Sequence, residues 1–225
     1  MSYSLIKSHA KINIALNVTG RLGALHTIES IISFLDIHDQ IIIKKIKSKK
    51  HIIKFKGRFS QNIKSKNTVS RLLEILEKKK YLNDKFKIIV KKNIPPKAGL
   101  GGGSMNAASI LNYFEKKGLI QISKKKMIKI ANLIGSDVIL GLYSNNLVLK
   151  SDNSIKTFFI KKKIHVLVVK PNFGCSTKLI YSRVKKFNRP IFNSLSKSMF
   201  KLEYLKRMKN DLEFIALNKY SKLNF

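Results

Sequence analysis

Residues 91–113 read Lys-Lys-Asn-Ile-Pro-Pro-Lys-Ala-Gly-Leu-Gly-Gly-Gly-Ser-Met-Asn-Ala-Ala-Ser-Ile-Leu-Asn-Tyr and lead from an apolar, strand-like segment into an amphipathic helix. Four of the eleven glycines of the chain lie within residues 99–103. Glycine has no Cβ, so the backbone amides of such a cluster can approach an anion closely. The helix that follows adds unpaired N–H groups and the positive end of its dipole. The stretch therefore predicts a loop that holds a polyphosphate, and a plain flexible turn is the alternative.

The spacing of this loop excludes two common phosphate-binding motifs. A Walker A loop ends in Gly-Lys-Ser/Thr, whereas Gly103 is followed here by Ser104 and Met105. A dinucleotide-binding fingerprint that starts at Gly99 needs glycine at position 104, and it normally lies in the first βαβ unit. The loop alone is consistent with a kinase, an ATPase or a nucleotide binder.

Length and composition indicate a folded protein of one large or two modest domains. The chain has 225 residues, of which 44% are hydrophobic. No apolar run reaches the roughly 18 residues needed to span a bilayer, and the N-terminus is too polar for a secretory signal. We therefore expect a cytoplasmic protein that does not contact a membrane. Cys175 is the single cysteine, which excludes an intramolecular disulfide and a thiolate zinc cluster.

The net charge of +34 invites a nucleic-acid-binding interpretation. However, the lysines are spread through nearly every segment instead of concentrating on one element with interleaved aromatic residues. We interpret the excess as a compositional bias on solvated positions and expect no specific nucleic-acid partner. A polyanionic substrate would still encounter such a charged protein faster.

Hydrophobic periodicity and the positions of cap residues predict the secondary structure. Strands are expected at residues 3–18, 41–47, 51–56, 86–90 and 165–169, with 41–47 and 51–56 forming a hairpin and a second hairpin in 138–160 turning at 144–146. Helices are expected at residues 68–80, 104–117 and 123–134, from about Thr177, and in segments through Leu217. A domain boundary near residue 158 gives two domains, 1–158 and 159–225.

Two further segments carry candidate catalytic side chains. Ser8-His9-Ala10-Lys11-Ile12-Asn13 places Lys11 and Asn13 on one face of a strand, because alternate strand residues point the same way. Ile134-Gly135-Ser136-Asp137-Val138 places a carboxylate on a tight turn between two elements. Taken singly, a lysine in so basic a chain and an aspartate in a turn are weak signals. Their order along the chain with the glycine loop is the informative feature.

Together the three segments resemble the GHMP kinases. The family's early Pro-Ala-Lys-Ile-Asn-Leu is matched by residues 9–14, and its Pro-x-x-x-Gly-Leu-Gly-Gly-Gly-Ser-Ser-Asn-Ala-Ala is matched from Pro95 to Ala108. Its Gly-Ala-Asp-Val is matched by residues 135–138. The resemblance implies a two-domain α+β protein, with an N-terminal domain like domain 2 of ribosomal protein S5 and an incomplete ferredoxin-like C-terminal domain.

Four other features resemble one branch of the family, which phosphorylates the 2-hydroxyl of 4-diphosphocytidyl-2-C-methyl-D-erythritol in the non-mevalonate (MEP) route to isoprenoids. They are Gly20-Arg21, His26, Phe34-Leu35-Asp36 and Asn210-Asp211-Leu212-Glu213. The resemblance implies a small-molecule kinase that uses ATP and Mg²⁺, holds no metal site of its own, and is a monomer or homodimer.

The resemblance also assigns roles to individual residues. Asp137 would accept the proton of the attacking hydroxyl, and Lys11 would stabilise the ionised carboxylate. Asn13, His26 and Thr177 would contact the substrate, with His26 at the edge of the cytosine. The nucleotide would lie against the loop and one upstream residue, namely Pro95, Pro96, Lys97, Ala98, Gly99, Leu100, Gly101, Gly102, Gly103, Ser104, Met105 and Asn67. Asn67 is explained equally well as a helix N-cap, and Thr177 as the start of a helix.

The sequence departs from the family pattern at four places. Leu25 replaces the tyrosine that precedes the histidine and stacks on cytosine, and Met105 replaces the second serine of the loop. Ile139 replaces a proline. No glycine follows Gly174, so the third glycine motif of the family is missing, and we expect an incomplete C-terminal domain.

Three alternative functions remain open from the sequence. The first is a related kinase that acts on homoserine or a mevalonate-type alcohol, which His26 and residues 34–36 argue against. The other two are a catalytically impaired remnant and a basic RNA-binding protein. Steeply salt-dependent RNA binding without a response to nucleotide would favour the RNA-binding protein.

Overall fold

The computed structural model describes residues 3–23 and 25–223, and the chain forms two compact units. Each unit combines separate stretches of the chain. The first contains the described residues up to Lys11 with Leu35–Pro96 and Leu100–Ser144, and the second contains Ile12–Phe34, Lys97–Gly99 and the chain from Asn145 onward. The boundary near residue 158 that the sequence predicts, between domains 1–158 and 159–225, stays a prediction.

Six strands and six helices make up the described part of the chain. The strands are β1 (Ser4–Leu22), β2 (Leu25–Ile46), β3 (Ile52–Lys56), β4 (Lys85–Lys91), β5 (Asn146–Leu149) and β6 (Ile155–Phe158). The helices are α1 (Thr68–Lys78), α2 (Gly102–Lys116), α3 (Lys124–Ile134), α4 (Thr177–Tyr181), α5 (Leu202–Leu205) and α6 (Asp211–Lys219). Short 3₁₀ turns lie at Leu140–Leu142, Lys197–Phe200 and Ser221–Leu223. None of the helices in residues 3–23 and 25–223 is long and apolar enough to cross a membrane.

In the first unit, β4 lies between β3 and the C-terminal half of β2. It is antiparallel to β2, with Ile43 opposite Ile88, and parallel to β3. The predicted hairpin between residues 41–47 and 51–56 is therefore wrong, although both strands exist. The reason is that β4 is apolar enough to be central, since Phe86, Ile88 and Val90 are all buried.

Helices α1, α2 and α3 supply the other side of this core. Each has an apolar stripe of the period expected for a helix with one buried face. The buried side chains of strands and helices form one cluster, which includes Ile41, Ile43, Leu72, Leu73, Leu76, Phe86, Ile88, Val90, Ile110, Leu111, Phe114, Met127 and Ile130. Asn67, one of the two cap positions that the sequence offers beside Thr68, caps α1, and Ser123, predicted as the first helical residue, instead caps α3. Helix α2 begins at Gly102, two residues earlier than predicted, because its first turn is built from the glycines of the loop.

In the second unit, the N-terminal half of β2 pairs with β5, and β5 pairs with β6. The turn between β5 and β6 spans residues 150–154, where Lys150 N–H donates to Ser154 O at 2.9 Å and Asn153 has a φ of 63°. The predicted turn at residues 144–146 is therefore wrong, because Asn146 already pairs with Phe158. Ala15, Ile31, Val148, Phe158, Phe192, Met199 and Phe200 form the core of this unit.

The predicted strand at residues 165–169 is also wrong. Residues 159–176 contain neither helix nor strand, and Leu167 and Val169 are 90% and 76% exposed. In the part of the chain that the structure describes, no strand pairs with this apolar run, and a strand needs a partner for its backbone groups. Helix α4 begins at Thr177 as predicted, and α6 extends two residues past the predicted end at Leu217.

Candidate active site

Lys11 of β1 and Asp137 lie side by side in the first unit. Lys11 Nζ is 3.2 Å from Asp137 Oδ2, and the side chains are 7% and 40% exposed. Asp137 follows Gly135, which ends α3 where the predicted stop lies. A buried cation thus faces a carboxylate that solvent, and hence a substrate, can reach. These are the two residues that the sequence analysis singled out as catalytic.

The glycine loop reaches this pair through the backbone of β1. Lys11 N–H donates to Leu100 O at 3.1 Å, which ties the strand to the loop. The next residue, Gly101, has a φ of 66°, in the left-handed region that favours glycine. A Cβ at Gly101 would lie 3.0 Å from Lys11 Cγ. Gly101 therefore serves both the turn into α2 and the packing of the Lys11 stem.

The N-terminus of α2 offers backbone N–H groups beside the ion pair. Among the described residues no side chain caps this helix, and the first bond back to the turn is made by Met105 N–H to Gly101 O at 2.9 Å. The amides of residues 102–104 are thus left for another acceptor. An anion at a helix N-terminus satisfies such amides and interacts favourably with the helix dipole.

Met105 has a different placement from the other loop residues. Its side chain is 2% exposed, and its Sδ would lie 3.1 Å from a Cβ at Gly141. The thioether thus packs in the core against the turn at Leu140–Leu142, while Ser104 is half-buried at the loop. Only the backbone of Met105 takes part in the start of α2.

Asn67 lies at the start of α1. Its Oδ1 accepts from Val69 N–H and Ser70 N–H at 3.0 and 3.1 Å, and its Nδ2 donates to two upstream carbonyls. The neighbouring Thr68 donates from Oγ1 to Gly103 O at 2.6 Å. The starts of α1 and α2 therefore touch, and Asn67 is occupied as a cap.

The three predicted substrate contacts lie in the second unit. Asn13 Nδ2 donates to Ser30 Oγ at 2.7 Å, and Thr177 is exposed at the first position of α4. The ring of His26 lies 5.2 Å from that of Tyr181 and 6.1 Å from that of Phe187. Neither aromatic residue was predicted from the sequence. Tyr181 lies four residues after Thr177, a spacing that puts two residues on one helix face and could have marked it.

Lys97, Ala98 and Gly99 belong to the same unit as the segment around Gly174. Cys175 N–H donates to Lys97 O at 3.3 Å, and a Cβ at Gly174 would lie 2.8 Å from Lys97 Cβ. Lys97 has a φ of 54°, which is unusual for a residue with a side chain. Burial raises the pKa of the Cys175 thiol, which keeps it protonated and a poor nucleophile.

Comparisons with known proteins point to one family. The family described as "GHMP kinases N terminal domain" matches residues 67–145. A 4-diphosphocytidyl-2-C-methyl-D-erythritol kinase of Pelagibacter ubique is 58% identical over 97% of this chain and 78% of its own length. A protein of the same name from Clostridium botulinum (strain Loch Maree / Type A3) is 34% identical over 98% of this chain and 81% of its own.

Solved structures of two kinases share the fold of this chain. The crystal structure of a 4-(cytidine 5'-diphospho)-2C-methyl-D-erythritol kinase matches 98% of this chain and 80% of its own, with a TM-score of 0.70 and 20% identity. Homoserine kinase from Cytophaga hutchinsonii matches 88% of this chain and 63% of its own, with a TM-score of 0.55 and 14% identity. These likenesses confirm the predicted α+β GHMP kinase fold.

Proposed function

We propose that this chain transfers the γ-phosphoryl group of ATP to the 2-hydroxyl of 4-diphosphocytidyl-2-C-methyl-D-erythritol. The chain belongs to the 4-diphosphocytidyl-2-C-methyl-D-erythritol kinases of the GHMP kinase family. The family follows from the 58% identity over 97% of the chain. The observation that carries the chemistry is the Lys11–Asp137 pair beside the uncapped start of α2. A base, a cation and a row of backbone donors are the groups that phosphoryl transfer to an alcohol requires.

Asp137 acts as the general base in this proposal. Its carboxylate accepts the proton of the 2-hydroxyl while the hydroxyl oxygen forms a bond to the γ-phosphorus. The bond between that phosphorus and the bridging oxygen to the β-phosphate breaks, and ADP leaves with the electron pair. Lys11, at 3.2 Å from Asp137 Oδ2, supplies a positive charge next to the oxygen that loses its proton.

The amides at the start of α2 hold the phosphates. Residues 102–104 have no side-chain cap among the described residues, so their N–H groups can donate to phosphate oxygens. The hydroxyl of Ser104 adds one further donor. Side chains larger than hydrogen at positions 101 and 102 would crowd Lys11 and Ile94 at 3.0 Å, so these two positions favour glycine.

Mg²⁺ is proposed as the partner of the ATP phosphates. It would take most of its ligands from phosphate oxygens and water, as it commonly does in kinases, and neutralise charge that develops on the transferred group. In residues 3–23 and 25–223 no three His, Cys, Asp or Glu side chains are grouped to hold a metal ion. We propose the Ser104 hydroxyl and the Asp137 carboxylate as the oxygens that the chain would offer beside the phosphates.

Asn13, His26 and Thr177 are the proposed contacts to the acceptor. His26 would donate to or accept from the cytosine edge. Leu25 is 69% exposed and has no ring to stack on a base. The ring of Tyr181, at 5.2 Å from that of His26, supplies an aromatic face instead. We further propose that the enzyme acts in the cytoplasm on small molecules, as a monomer or homodimer.

Asp137→Asn tests the proposed base. We expect kcat to fall by about two to four orders of magnitude, the usual contribution of a general base, while the Kd of Mg-ATP stays close to that of the unmodified chain. Steady-state kinetics with the proposed acceptor and calorimetry with Mg-ATP measure the two quantities. Turnover near the unmodified level would remove Asp137 from this role.

A panel of acceptors tests the substrate. ADP release is measured with 4-diphosphocytidyl-2-C-methyl-D-erythritol, homoserine and mevalonate at equal concentration. We expect release with the first alone. Preference for another alcohol would place the chain's activity elsewhere in the GHMP family.

Salt-sensitive RNA binding without any Mg-ATP effect on thermal stability would favour the RNA-binding alternative.

A further inference from the structure

One buried carboxylate in the first unit holds both ends of the glycine loop. Asp39 of β2 is 0% exposed and accepts four hydrogen bonds. Its Oδ1 accepts from the backbone N–H groups of Asn93 and Ile94 at 2.7 and 2.8 Å. Its Oδ2 accepts from Lys92 Nζ, and from Asn106 Nδ2 at 3.0 Å.

These four donors come from the two sides of the loop. Asn93 and Ile94 immediately precede Pro95, where the predicted nucleotide loop begins. Asn106 lies in the second turn of α2, just after the amides proposed to bind phosphate. The strand that enters the loop and the helix that leaves it are thus fixed to the same pair of oxygens.

Lys92 extends this arrangement to the first turn of α2. Its side chain is 7% exposed, and its Nζ would lie 3.3 Å from a Cβ at Gly102. The ammonium group therefore stands against the residue that opens the helix. A buried charge of this kind is stable only with a partner, and Asp39 is the ion-pair partner that the structure gives it.

We infer that Asp39 is the positioning residue of the nucleotide loop: its carboxylate sets the spacing of the two loop ends, so that the amides of α2 face the phosphates of ATP. The inference rests on the proposed kinase function. Asp39 does not touch substrate in this account and takes no part in proton transfer. Its loss should therefore weaken ATP binding more than it slows the chemical step.

Asp39→Asn tests the inference. The amide keeps one acceptor oxygen but removes the charge opposite Lys92 and points a donor at other donors. Because a hydrogen bond to a charged group contributes about one tenfold step in affinity or more, we expect the KM for ATP to rise at least about tenfold. The KM for the acceptor should not change, and kcat should fall less than the KM for ATP rises.

Glu29→Gln is the matched control. Glu29 is also 0% exposed, and its Oε2 accepts from Asn17 Nδ2 and from the backbone N–H groups of Ile191 and Phe192 in the second unit. Both substitutions neutralise a buried, hydrogen-bonded carboxylate and should lower thermal stability. Only Asp39→Asn should reduce the increase in Tm that Mg-ATP produces, a readout that a purely structural role would leave unchanged.

If Asp39→Asn does not fold, Asn106→Leu tests whether Asp39 positions the nucleotide loop. It removes the contact between α2 and the carboxylate. It also removes Asn106 Oδ1, a buried oxygen without a hydrogen-bond partner among the described residues, which should offset part of the stability lost with the bond to Asp39. We expect a raised KM for ATP with an unchanged KM for the acceptor.

An unchanged Mg-ATP effect on Tm and an unchanged KM for ATP in the folded variants would overturn the inference while leaving the kinase function intact. A failure of the unmodified chain to bind Mg-ATP at all would overturn the proposed function, and with it this inference.

Discussion

Position 101 favours glycine for two reasons, its left-handed backbone and its close approach to Lys11, and the two can be tested separately. Gly101→Ala places a Cβ in the left-handed region and 3.0 Å from Lys11 Cγ. We expect a loss of about 1–2 kcal/mol in the free energy of unfolding from the backbone alone. We also expect a lower kcat/KM, because the Lys11 stem must move away from Asp137. Chemical denaturation and steady-state kinetics measure the two effects.

Gly118→Ala is the control for the backbone effect. Gly118 has the same φ of 66°, but a Cβ there would meet nothing within 4 Å. It should lose a similar amount of stability and keep its activity. Equal activity in the two variants would show that the close approach of Gly101 to Lys11 has no role in catalysis.

We expect His51 to make the stability of the first unit depend on pH. Burial lowers its pKa below the ordinary value of 6.5, and the nearby Glu77 does not outweigh this effect. Its Nδ1 accepts from Phe86 N–H at 3.0 Å, as a neutral ring can. The unfolded chain therefore takes up the proton at a higher pH than the folded chain does. The stabilisation is complete above about pH 6.5 and is lost as the pH falls toward the lowered pKa.

His51→Gln should flatten this dependence, because glutamine keeps an acceptor for Phe86 N–H but has no proton to gain. Urea midpoints measured from about pH 5 to about pH 7.5 show the slope that linkage requires. A slope in the variant as steep as in the unmodified chain would assign the pH dependence to other groups.

Individual site residues differed in how far the sequence could predict them. The sequence could single out Lys11 and Asp137, which the structure places side by side, because the order of three short motifs is specific even though each residue alone is ordinary. Asp39, Tyr181 and Phe187 were missed because each acts through a contact with a distant part of the chain. Asp39, for example, meets Asn106 across 67 positions of sequence.

At the scale of elements, the cap of α1 allows a test of whether the role of Asn67 is structural or functional. Its side chain is already occupied by four hydrogen bonds to nearby backbone. Asn67→Ala should therefore cost about 1 kcal/mol of stability. The KM for ATP should stay within about twofold of the unmodified value.

Ser123→Ala is the control, because Ser123 caps α3 through a single bond to Lys126 N–H. It should lose stability by a similar mechanism. A rise in the KM for ATP seen with Asn67→Ala but not with Ser123→Ala would show that Asn67 contacts the nucleotide after all.

Helices were predicted better than the pairing of strands. Caps and apolar stripes are local signals, and they located α1, α2 and α3 within two residues at their starts. The predicted hairpin between residues 41–47 and 51–56 failed because the partner of a strand depends on the whole sheet and not only on the length of a connection. The short connection between β2 and β3 suggested that β3 pairs with β2. Strand β4 instead lies between them and pairs with both.

At the scale of the whole molecule, the charge of +34 should act on the rate of encounter with ATP. Kinetics between about 0.05 M and about 0.5 M NaCl should show kcat/KM for ATP falling steeply, because the Debye length shrinks and the attraction is screened. The value of kcat at saturating ATP should change far less. A kcat/KM that is independent of salt would mean that the lysine excess does not assist the substrate.

The most direct test of the kinase assignment is phosphorus NMR of the 225-residue chain with Mg-ATP and 4-diphosphocytidyl-2-C-methyl-D-erythritol. We expect the γ-phosphate signal of ATP to be replaced by that of a phosphate monoester on the 2-hydroxyl of the acceptor, with ADP formed in equal amount. Unchanged acceptor in a sample that is folded and binds Mg-ATP would contradict it.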